Sequence, residues 1–133
     1  MGTKIPSLTA LRKHIKKHGW NACSGNTKTL RDMFEGQCEY ASTSLSEMLT
    51  GDSTSAGWSL RVRGWYCGEI TAIRPSDGSS NFKPGSHGTK HAHSWVVFEG
   101  KIIDPTWWQF TDERPKVYVF DANDPRFEID PEA

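Results

Sequence analysis

The stretch from His91 to Thr106, HAHSWVVFEGKIIDPT, limits what this chain can fold into more than any other. Ser94 to Phe98 is rich in β-branched and aromatic residues, Glu99-Gly100 supplies a bend, and Lys101 to Ile103 runs back, so a β-hairpin is predicted. If Glu99-Gly100 is a two-residue turn, Phe98 lies opposite Lys101, Val97 opposite Ile102 and Trp95 opposite Asp104. Side chains alternate along a strand, so His93 then lies one diagonal step from Asp104 on the same sheet face, roughly 7–8 Å away along the backbone. The two side chains are long enough to close that gap. A three-residue turn would change the parity and separate them, because a one-residue slip moves every side chain to the other face.

The rest of the chain must supply something for that pair to act on. Ser7 is placed to cap a helix through Leu8, Leu11 and Ile15, with Gly19 as its stop and Lys13, Lys16 and Lys17 on a solvated basic face. Trp20 to Thr29 reads as a loop, and Thr29 to Phe34 as a helical turn. Cys38, Ala41, Leu45 and Met48 recur at three- and four-residue spacing, which predicts a buried helix from Cys38 to Leu49 ended by Gly51. Trp58 to Ile73 alternates Leu60 and Val62 against Arg61 and Arg63, predicting two strands broken near Gly64 or Gly68. Arg74 to Lys90 is a long loop, Val117 to Phe120 another strand, and the tail turns at Asn123-Asp124-Pro125, held by Phe127 and Ile129.

At 133 residues the chain is expected to be one domain, 1–133, with its chemistry-bearing motifs between 36 and 110. Sixteen basic and sixteen acidic side chains cancel, which argues against nucleic acid or an anionic membrane as partner. No run approaches the roughly 18–20 apolar residues of a membrane span, and the N-terminus lacks a signal-peptide core. Three cysteines at distant positions make a poor disulfide framework. A reducing cytoplasm is the expected compartment, with export lacking a cleaved signal left open.

A thiol becomes a useful nucleophile at a helix N-terminus or beside an imidazole. Cys38 begins a predicted helix whose first amides suit a developing oxyanion. His93 would take the thiol proton and return it to the leaving group, while Asp104 fixes the ring tautomer. Taken singly, Cys38 could be a small core residue, His93 structural and Asp104 a turn former.

In combination, Gly36-Gln37-Cys38 before a small-residue helix, then His93-x-Trp95, then Asp104-Pro105-Thr106, resembles the transglutaminase-like superfamily within the papain-like fold. The resemblance covers Gly36 to Phe110. It implies an α+β fold, N-terminal helices packed on an antiparallel sheet, with Cys38 as nucleophile, His93 as base, Asp104 as its orienting partner, and no metal or organic cofactor. It also implies a second oxyanion donor, for which Gln37 and the indole of Trp20 are candidates. Trp95 and Trp107 are the expected substrate-side aromatics, with one of Trp107 and Trp108 packed beneath the hairpin. Glu39 stands where an aromatic often follows the cysteine, and no acidic calcium loop is visible.

The expected activity is cleavage or transfer of an acyl group from an amide through a thioester, on a protein or peptide substrate. Water is the favoured acceptor, giving a protease or glutamine deamidase. A crosslinking or small-molecule acyltransferase on the same triad, or a non-catalytic module of the same fold, are the alternatives. Two rivals are weaker: zinc bound by His87, His91 and His93, which no CxxC or HExxH pattern supports, and single-stranded nucleic acid on Arg61, Arg63, Trp65 and Tyr66. Oligomeric state is not legible in the residues.

Overall fold

The computed structural model describes residues 5–17, 34, 37–52, 54–68, 91–111 and 113–131. Helix α1 is Leu8–Lys17 and α2 is Cys38–Thr50, followed by a 3-10 turn at Ser55–Trp58. Strands β1 (Arg61–Tyr66), β2 (His91–Phe98) and β3 (Lys101–Asp104) come next, then the one-turn helix α3 (Trp108–Thr111), β4 (Tyr118–Asp121) and β5 (Phe127–Ile129). The fold is α+β, with one antiparallel sheet in the order β4-β3-β2-β1-β5.

Glu99 and Gly100 both take positive φ, 52° and 75°, as a two-residue hairpin turn with right-handed twist requires. The register follows from it: Val96 pairs with Ile103, Val97 with Ile102 and Phe98 with Lys101.

The two faces of the sheet carry separate cores. Outside, Leu8, Leu11 and Ile15 of α1 and Ala41 and Leu45 of α2 pack with Phe34, Val96, Ile103 and Trp108. Inside lie Tyr66, Trp95, Ile102, Phe110 and Phe127. Strands β4 and β5 are opposite edges of the sheet, which if flat would hold them roughly 19 Å apart at about 4.8 Å per step. Yet the rings of Phe120 on β4 and Phe127 on β5 have centroids 5.4 Å apart. The sheet therefore curls around its inner core.

Helix α2 is joined to this sheet by polar bonds as well. Ser42 donates its hydroxyl to the Ser94 carbonyl at 3.1 Å. The nearly buried carboxylate of Glu47 accepts from Trp58 Nε1 at 2.6 Å and pairs with His14 Nε2 at 3.1 Å, tying α1, α2 and the 3-10 turn together. Gly51, at φ 72°, ends α2 with its N–H on the Glu47 carbonyl.

Of the two expected break points, the strand passes Gly64 and ends at Tyr66, just before Gly68; at Gly64 a Cβ would collide with the Glu128 carbonyl and meet Trp95 Cη2 at 2.8 Å, so glycine there serves close approach. Two expectations change. Ile129 does not hold the tail, being 59% exposed on β5, whereas Phe127 does. Trp108 to Thr111 forms a helical turn that the aromatic run concealed. The predicted loop at Arg74 to Lys90 and the helix stop at Gly19 lie outside the described residues.

Gly64→Ala is expected to lower the free energy of unfolding by at least about 2 kcal/mol, since the colliding atom is backbone and β5 must shift. Urea denaturation checks this; an unchanged midpoint would contradict the packing described.

Candidate active site

His93, Trp95 and Val97 share one face of β2 by alternation, and this is the face around which the sheet curls. The ring of His93 is caged by aromatics. Phe110 meets it edge-on at 4.8 Å between centroids, with Trp95 at 5.9 Å, Phe127 at 6.4 Å and Tyr66 at 6.5 Å.

Asp104 reaches the same ring from the end of β3. His93 Nε2 lies 2.6 Å from Asp104 Oδ2, and both side chains have zero exposure. The other carboxylate oxygen, Oδ1, accepts the Thr106 backbone N–H at 2.9 Å. Pro105 fixes the intervening backbone and its carbonyl accepts Trp108 Nε1 at 2.7 Å, so the fully buried Trp108 anchors the loop that carries the carboxylate.

Burial alone would disfavour a charged imidazole here. The neighbouring Asp104 carboxylate, by charge and by hydrogen bond, outweighs it, and the Cys38 sulfur adds to the same effect, so the His93 pKa is raised to about 10. Cys38 is the first residue of α2 and is partly exposed. Its sulfur lies in the neighbourhood of the ring, where it favours the charged imidazole. His93 Nδ1 nevertheless has no partner at strict hydrogen-bond geometry. The amides of Cys38 and Glu39 precede the first helical bond, from Ala41 N to the Gln37 carbonyl at 2.9 Å.

The remaining candidates fall differently. Gln37 occupies the N-cap position but makes no side-chain cap. Trp95, expected on the substrate side, is a core residue at 1% exposure, because its parity with His93 turns it into the curl. Trp107 is half-buried against Tyr118 and Phe120, at 4.8 and 5.1 Å, with the Arg126 guanidinium 5.6 Å from its ring. Trp108 is the tryptophan packed beneath the hairpin. Trp20 lies outside the described residues, as do Gly36 and His87.

Among the described residues, no group of three His, Cys, Asp or Glu side chains is arranged to hold a metal ion, and no helix is long and apolar enough to cross a membrane. Phe110 and Trp108 hold the dyad without having been singled out for it, whereas Thr106 does so as the last residue of the Asp-Pro-Thr motif, through an Asx-type turn.

No family model, curated protein or solved structure matches this chain.

A raised pKa means that the charged His93–Asp104 pair stabilises the fold fully below the unfolded histidine value of about 6.5, and that this contribution is lost as pH rises toward about 10. Ring ¹⁵N NMR of wild type is expected to report an imidazolium at position 93 at pH 8. In Asp104→Asn the remaining burial should leave the ring neutral at that pH. A neutral ring in the wild type would contradict the assignment.

Proposed function

We propose that this chain is a thiol enzyme of the transglutaminase-like, papain-like kind, cleaving or transferring acyl groups from amides. One observation carries the reading: the buried His93–Asp104 hydrogen bond occupies Nε2 and leaves Nδ1 without a hydrogen-bond partner, while Cys38, partly exposed at a helix start, acts on the same ring by raising its pKa.

In this reading the Cys38 thiolate attacks the amide carbon, and the carbonyl oxygen becomes an oxyanion at the N-terminal amides of α2. The tetrahedral species collapses, the C–N bond breaks, and the leaving amine or ammonia takes its proton from His93. Water then adds to the thioester while His93 accepts a proton from it, and collapse releases the carboxylic acid and the Cys38 sulfur. Asp104 keeps the ring oriented and its positive charge matched throughout; it does not itself transfer a proton. Water is preferred as acceptor because, among the described residues, no feature marks an amine-binding site. A peptide is the preferred substrate class, and a glutamine side chain or main-chain amide fits the same chemistry.

The test is intact-mass spectrometry after mixing the protein with glutamine-containing peptides and quenching in acid, alongside an ammonia-release assay. An acyl adduct mapping to Cys38 is expected, absent in Cys38→Ala, with turnover in His93→Ala lower by about 100-fold or more. Undiminished turnover in Cys38→Ala would contradict the proposal.

A further inference from the structure

Arg61 and Arg63 are not used by the chemistry above, and the sequence pattern that singled them out has another meaning in the fold. Both project from β1 toward α2, where they converge on one oxygen, Oε1, of Glu39. Glu39 is the residue that follows Cys38. Arg61 Nη1 is 3.4 Å from that oxygen and also donates to the Thr43 hydroxyl at 2.9 Å, while the Arg63 Nη2 contact is closer. Arg61 is mostly buried and also lies over Trp58, with its guanidinium 6.0 Å from the ring.

Within this cluster of three, two guanidiniums share one carboxylate, a surplus of one positive charge, and Asp130 borders the hollow beside it. The field at Arg61 reflects this. Burial lowers its pKa, repulsion from Arg63 lowers it further, and the attraction of Glu39 is the smallest of the three effects. Arg63 is about half exposed, at 48%, and Glu39 is its one described side-chain partner, through Nη2. Its other N–H groups are thus available for a second, bidentate partner. A hollow of about 270 Å³ opens along the pair, lined by Arg61, Val62, Arg63, Ile129 and Asp130.

We infer that Arg61 and Arg63 form a carboxylate-binding subsite beside Cys38, which selects acyl donors bearing an acidic group close to the scissile amide. The inference rests on Cys38 being the reactive thiol and names the substrate class for it. Glu39 shows the geometry the pair accepts. Arg61, fixed by Thr43 and Trp58, is the rigid half of the subsite, and Arg63 is the half that an incoming carboxylate engages. The group is held at the residue adjoining the nucleophile, within the roughly 10 Å over which charge is felt at ordinary salt.

The test compares alkylation of Cys38 by iodoacetate, an anion, with alkylation by neutral iodoacetamide, each followed by peptide mapping. The ratio of the two rates reads the charge near the sulfur and cancels changes in its intrinsic reactivity. Arg63→Gln is expected to lower the iodoacetate-to-iodoacetamide ratio at least about threefold at low salt, Arg63→Lys to restore most of it, and Glu39→Gln to raise it. Equal ratios in wild type and Arg63→Gln would overturn the subsite. This failure is distinct from failure of the acyl-transfer reading: peptide adducts on Cys38 with unchanged ratios would remove the subsite alone. A changed ratio with no adduct would keep the anion site and remove the enzyme.

Discussion

The buried hydrogen bond between His93 and Asp104 is the interaction on which the rest of this structure turns. Taking an imidazolium and a carboxylate out of water is costly, and their attraction repays it only when the remaining polar valences are met. Here Asp104 places one oxygen on the ring and the other on the Thr106 amide. Phe110, Trp95 and Phe127 exclude water around them. Such a pair stays intact only if β2 and β3 hold their register, so the tight turn at Glu99-Gly100 is as much a part of the site as the side chains.

The curl of the sheet divides the work between two cores. The outer core, from Leu11 to Trp108, packs α1 and α2 against β2 and β3. The inner core encloses the dyad. Helix α2 lies on the outer side, yet the sulfur of its first residue still favours the charged form of the His93 ring. The Ser42–Ser94 bond fixes the height of the helix along β2 one turn after Cys38. Glu47 fixes its other end through Trp58 and His14. A helix tied at both ends has little freedom to shift along the sheet.

Much of this was legible before any coordinates. The hairpin, its register and the diagonal meeting of His93 with Asp104 follow from the period of two and a two-residue turn, both local properties. The face of α2 bearing Ala41, Leu45 and Met48 follows from helical spacing. What escaped is non-local. Nothing in Trp95 itself says whether its sheet face looks outward or into a curl, and the closeness of Phe120 to Phe127 that decides it spans the two edges of the sheet. Gly64 reads as a strand breaker until Glu128 is placed against it. The role of Trp108 depends on the Pro105 carbonyl turning toward it.

The coupling of sulfur to ring can be measured directly by following alkylation of each cysteine with iodoacetamide near neutral pH. Cys67, just past the end of β1 with its sulfur 3.6 Å from Glu128 Oε2, is a partly exposed thiol and serves as an internal reference. In wild type Cys38 is expected to react about tenfold or more faster than Cys67, and in His93→Gln that advantage should collapse while the Cys67 rate holds. Equal reactivity of the two thiols in wild type, or an advantage at Cys38 that survives loss of the imidazole, would contradict the account.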